Sequence, residues 1–143
     1  FVAAPLHQVP ALERAVRATT WNTPGVLTAL ACAWIDDGTV LHLEAQKRDD
    51  AQARQHVAAK ALAGLPWVGH PASYFLWLPL GEDARADRIA KDLLARQIAV
   101  STAEPFATSA HVPHALRLAL GSAPLETLGP ALETVKWVVQ AHT

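Results

Sequence analysis

The sequence predicts an α/β domain of the α+β kind, a small antiparallel-type sheet of about three strands packed with helices and preceded by long connector helices. Three observations carry this expectation. Short β-type runs alternate with a helical stretch in the second half of the chain, at Tyr74-Phe75-Leu76-Trp77-Leu78, Ile98-Ala99-Val100-Ser101 and Ala115-Leu116-Arg117-Leu118-Ala119-Leu120. The first half is helical in pattern almost throughout. Gly64, Pro66, Gly69 and Pro71 cluster between the two halves, which sets a boundary between a connector region, 1–63, and a lobe, 64–143.

In chain order, Phe1-Val2-Ala3-Ala4-Pro5 reads as the end of a strand, and with no methionine in the sequence the chain is expected to be a piece of a longer protein. Pro10 suits the first turn of a helix whose Leu12, Ala15 and Val16 share a face and which ends near Trp21-Asn22-Thr23-Pro24. Val26, Leu27, Leu30, Ala31, Trp34 and Ile35 form the apolar face of a second helix, stopped by Asp36-Asp37-Gly38. Thr39 is the expected N-cap of a long helix reaching about Ala63, whose middle, Glu44 to His56, is nearly all polar or alanine, so the helix is expected to be largely solvated. The strand around Trp77 is apolar on both faces, so it should lie between layers or face a partner. Asp83 is the expected cap of an amphipathic helix with Ala86, Ile89, Ala90, Leu93 and Leu94 inward. An irregular loop covers 102–114. A last helix occupies about Pro124 to Gln140, with Gly129-Pro130 expected to kink it or delay its start.

Composition narrows the function classes. A chain of 143 residues, 51% hydrophobic and 17% charged, can bury a core and is not a disordered tail. Its net charge is −1 and its basic residues are scattered, which argues against direct nucleic-acid binding. No apolar run reaches the length of a membrane span, and the N-terminus does not read as a signal peptide. A single cysteine, Cys32, in an apolar stretch is expected to be a buried, inert thiol, and a reducing cytoplasm is the expected setting.

Arg117 is the most informative residue. Strand alternation places Leu116, Leu118 and Leu120 on one face and Ala115, Arg117 and Ala119 on the other, so one face packs while the other carries a lone guanidinium between small neighbours. A cation there needs an anion, which is either a carboxylate of the protein or the carboxylate of a ligand held by two parallel hydrogen bonds. His111 and His114 have an H-x-x-H spacing, but Pro113 stands between them and no third ligand is near, so surface histidines are expected and no metal. Ser101 and Glu104 adjoin them without a nucleophile elbow or oxyanion loop, and the chain has neither a G-x-G-x-x-G nor a P-loop. Trp21, Trp34, Trp67, Trp77 and Trp137 read as core or interface anchors, and Lys47-Arg48 beside Asp49-Asp50 as a solvated helix face.

The strand end at Phe1, the connector with Trp34-Ile35-Asp36-Asp37-Gly38, the strand at Trp77, Val100-Ser101 before Pro105-Phe106, and Ala115-Leu116-Arg117-Leu118-Ala119-Leu120-Gly121 follow one another in a familiar order. In combination they resemble the C-terminal lobe of fold-type I pyridoxal-phosphate aminotransferases, and most of all the aminotransferase-like domain of the MocR branch of GntR-family transcription regulators. The resemblance implies that the Schiff-base lysine, the aspartate facing the pyridine nitrogen and most phosphate-binding groups lie upstream, in a larger lobe. Pyridoxal 5'-phosphate then belongs to the intact protein, with none expected on this chain and no role in holding it for Lys47, Lys60, Lys91 or Lys136. Arg117 stands at the position that grips the α-carboxylate of an amino-acid ligand in that family, which favours the ligand reading over a structural ion pair. The implied partners are an amino-acid or amine effector or substrate, the large lobe, a second copy in a homodimer, and DNA only through an absent N-terminal domain. Thr102-Ala103-Glu104-Pro105-Phe106 lacks the Pro-Gly that often precedes the loop phenylalanine in the enzymes, which bears on ligand choice and on competence as a transaminase. A true aminotransferase lobe and a dimerisation module built on the apolar connector helices are the alternatives.

Overall fold

A computed structural model describes residues 3–142. The expected strand end at 1–5 falls partly outside these residues, and Ala3-Ala4-Pro5 is not a strand. The chain divides into two compact units between Glu44 and Ala45. The first contains a 3-10 turn at Leu6–Gln8, helix α1 (Val9–Thr19), helix α2 (Gly25–Asp36) and the start of helix α3 (Thr39–Ala61). Neither α1 nor α2 buries a residue, so Cys32, expected to be buried, is exposed: a helix that is apolar all round buries nothing unless a neighbour covers it. Asp37 caps α2 and Gly38 follows with φ +80°, as the stop signal predicts. Thr39, however, is the first residue of α3 rather than its cap. Its side chain first, and second its amide, which donates to Asp37 Oδ1 at 2.9 Å, hold the Asp37 carboxyl below its ordinary range.

The second unit comprises the rest of α3, β1 (Val68–Gly69), β2 (Phe75–Pro79), α4 (Ala86–Ala95), β3 (Ser101–Thr102), β4 (Ala115–Ala119) and α5 (Leu125–Ala141). The strands form one antiparallel sheet in the order β1-β2-β4-β3. The expected strands around Trp77 and Arg117 are present, the one expected at 98–101 is shifted to Ser101–Thr102, and a fourth, β1, comes from the Gly/Pro segment read as a boundary. That segment is a sheet edge, and the second compact unit starts at Ala45, inside α3.

Leu76 and Leu78 of β2 and Leu116 and Leu118 of β4 bury one sheet face in a cluster with Ala58 and Leu62, with Ile89 and Leu93 of α4, and with Leu128, Leu132, Val135, Val138 and Val139 of α5. The inward stripe predicted for α4 is correct at Ile89 and Leu93, while Leu94 is exposed. Asp83 does not cap α4, which starts later in the chain, with Arg85 at the N-cap and no side-chain cap bond. α5 begins at Leu125, ahead of Gly129-Pro130, and continues through Pro130; a Cβ at Gly129 would make only ordinary contact with Val57 of α3, at 3.6 Å. α4 ends in a Schellman motif, with Gln97 N–H on Leu94 O, Ile98 N–H on Leu93 O, and Gln97 in the left-handed region at φ +62°. A side chain in that conformation is disfavoured relative to glycine. Gln97→Gly should therefore stabilise the chain by up to about 1 kcal/mol, read as a higher midpoint in denaturant unfolding with an unchanged slope.

Candidate functional site

The leucines of β4 point into the core, so Arg117 emerges on the opposite sheet face, half-buried, with Trp77 and Ser101 directly across from it on β2 and β3. The guanidinium carbon lies 3.8 Å from the centre of the Phe75 ring and 5.0 Å from that of Phe106. Phe75 comes from the start of β2, and Phe106 from a 3-10 turn, Glu104–Phe106, inside the loop expected to be irregular. Both rings keep an open side, at 43% and 49% exposure. Among the described residues no carboxylate pairs with Arg117, whereas Arg54 pairs with Asp50 and Arg85 with Asp87. Cation–π contact is worth about 0.5–1 kcal/mol at an exposed site and engages the face of the guanidinium, leaving its N–H edges able to take a planar anion.

Behind this face, α3 is largely solvated, as its composition predicts, except along one side of its middle. Ala51, Gln55 and Ala58 are buried, and the Arg54 side chain is only 12% exposed. Alanines let the helix approach the sheet closely, and the strand ends supply carbonyls for its polar groups. Arg54 Nη1 donates to Leu120 O at 2.8 Å and to Ala123 O at 2.7 Å, while its Nε donates to Asp50 Oδ2 at 2.9 Å. Gln55 Nε2 donates to Ser73 O at 2.8 Å and Phe75 O at 3.3 Å. The Tyr74 hydroxyl also bonds to Asp50. Arg54 first and Tyr74 second hold the Asp50 carboxyl below its usual range, and the same bond to Asp50, with burial, raises the Tyr74 phenol.

The other candidates do not converge. His111 and His114 are exposed loop residues, and among the described residues no group of three or more His, Cys, Asp or Glu is arranged for a metal. Ser101 lies in β3 opposite Arg117, Glu104 begins the 3-10 turn, and no hydrogen bond joins either to a histidine. Trp67 and Trp77 are half-buried, Trp21, Trp34 and Trp137 are exposed, and Arg96 lies over the Trp137 ring at 5.3 Å. Lys47, Lys60 and Lys91 are exposed on helices, and Lys136 donates to Ala63 O. Phe75 is the site residue missed by sequence reasoning; it alternates onto the same face as Trp77, but its place beside Arg117 depends on the register of β2 against β4.

Solved structures similar to this chain include several aminotransferases. An α-aminoadipate aminotransferase from Thermus thermophilus, complexed with N-(5'-phosphopyridoxyl)-L-leucine, matches with a TM-score of 0.73 and 18% identity over 97% of this chain and 37% of its own. An archaeal alanine:glyoxylate aminotransferase matches with a TM-score of 0.70 and 19% identity over 89% of this chain and 33% of its own. A multiple substrate aminotransferase from Thermococcus profundus gives a TM-score of 0.70 and 17% identity over 97% and 36%. The fold is that of an aminotransferase segment. This chain spans about a third of the length of those proteins. No family model and no curated protein sequence matches it. Among the described residues no single helix is long and apolar enough to cross a membrane.

The Asp50 network gives a signed dependence on pH. Asp50 is lowered in the folded chain, so its contribution is full above the unfolded carboxyl value of about 4 and is lost as pH falls through the lower folded value. Tyr74 is raised, so its contribution is full below about 10 and is lost as pH rises through the raised value. Thermal unfolding midpoints should fall at both extremes, with Asp50→Asn flattening the acid limb and Tyr74→Phe the alkaline one.

Proposed function

We propose that this chain is the C-terminal effector-sensing lobe of a pyridoxal-phosphate-dependent, aminotransferase-like regulator of the MocR branch of the GntR family, and that Arg117 binds the carboxylate of its amino-acid effector. The observation that carries the reading is the Arg117 guanidinium, held against two aromatic rings on the sheet face opposite the core, with no protein carboxylate paired to it among the described residues. A half-buried cation without a carboxylate partner is suited to a mobile one. Phe75 and Phe106 lower the local dielectric around the guanidinium, which strengthens its pairing with an anion. The upstream lobe supplies the cofactor site, an N-terminal winged-helix domain supplies DNA binding, and two copies associate. The effector acts by favouring one arrangement of the lobes over another.

A second reading, the same lobe in a true aminotransferase, is favoured by the three similar structures described above, each named as an aminotransferase. There Arg117, Phe75 and Phe106 orient a substrate carboxylate and exclude water from it. The gene sequence upstream of Phe1 separates the two: a winged-helix segment supports the regulator, and its absence removes that reading.

In the intact protein, Arg117→Ala should raise the amino-acid Kd roughly 10- to 100-fold, the loss of charge-assisted hydrogen bonds, while the cofactor absorbance stays as in the wild type. An unchanged Kd would remove Arg117 from the site.

A further inference from the structure

We propose that Arg54 is a positioning residue for Arg117, acting through the carbonyls at the end of β4. This rests on the reading of Arg117 as the ligand's anchor. Arg54 reaches from α3 to Leu120 O and Ala123 O, in the turn that directly follows the strand bearing Arg117. Its neighbour Gln55 holds Ser73 O and Phe75 O, at the start of the strand whose first ring lies against Arg117. The two ends are also tied to each other, since Leu120 N–H donates to Tyr74 O at 2.7 Å. They pack closely as well: a Cβ on Gly121 would stand 3.0 Å from Tyr74 Cδ1. One turn of α3 therefore grips the end of β4 and the start of β2 together.

That grip bears on the pairing of Arg117 with Phe75. In the sheet Phe75 stands opposite Ala119 and Arg117 opposite Trp77, so the ring and the guanidinium are diagonal neighbours. Diagonal contacts change when one strand shifts along the other, whereas the buried leucines can follow a small shift by repacking. Arginine suits the role because one planar guanidinium serves Asp50 and two carbonyls at once, where a lysine ammonium on a flexible stem has no such fork. The side chain is nearly closed off from water, so these bonds do not compete with solvent.

The test uses the full 143-residue chain and needs no ligand, so it stays decisive if amino-acid binding to Arg117 is not found. The Nε–H resonance of Arg117, identified by its loss in Arg117→Lys, should be displaced upfield by the Phe75 ring and should return to an ordinary position in Phe75→Leu. In Arg54→Met, which keeps the apolar stem, the displacement should be lost while unfolding remains cooperative. Arg54→Lys, which keeps the charge as well, should show the same loss and serves if the methionine variant does not fold. A lower unfolding midpoint with the Arg117 resonance unmoved would mean that Arg54 only stabilises the lobe, and would overturn the proposal. Failure of both variants to fold would overturn it too, since Arg54 would then hold the fold as a whole.

Discussion

Leu116 and Leu118 occupy the centre of the core, where helices α3, α4 and α5 meet the sheet, and neither is more than 3% exposed. Because successive side chains in a strand point to opposite faces, that burial forces Arg117 onto the other side. Turning β4 over would bring a guanidinium into an apolar cluster and expose two leucines, at a cost of several kcal/mol. β2 obeys the same constraint, with Leu76 and Leu78 inward and Phe75 and Trp77 outward. The chemistry-bearing face is thus a by-product of how the core is filled.

Helix α3 adds a second layer of control. Most of its polar residues are solvated, but on one side Arg54 and Gln55 supply the hydrogen bonds that the strand ends would otherwise draw from water. A charged donor shared by two carbonyls and a carboxylate is stronger than a neutral one and leaves little freedom to its acceptors. The helix fixes the ends of the two strands that carry Arg117 and Phe75, and so links core packing to the shape of the open face.

The Arg54 clamp was not legible in the sequence. A run such as Asp50-Ala51-Gln52-Ala53-Arg54-Gln55 has the composition of an exposed helix, and only the positions of Ser73, Leu120 and Ala123 in space show that one side of it is buried. Cys32 erred in the opposite direction. Its apolar surroundings suggest burial, yet burial needs a covering element, and none covers α2 among the described residues. Asp83 and Thr39 show how a suitable residue type near a helix start can sit one or two positions from the cap itself.

The sequence by itself determined α2, α4, α5 and the two five-residue strands, along with the outward direction of Arg117, because side-chain period and helix stop signals are local properties of the chain. Tertiary structure alone decided what surrounds that arginine. The Phe75 ring is distant in sequence and reaches it through strand register, Phe106 through a turn within a loop, and Arg54 through the packing of a helix. Each of these depends on distances between separate elements, which no local pattern encodes. The open guanidinium and its aromatic setting were therefore half readable: the cation from alternation, the site around it only from the fold.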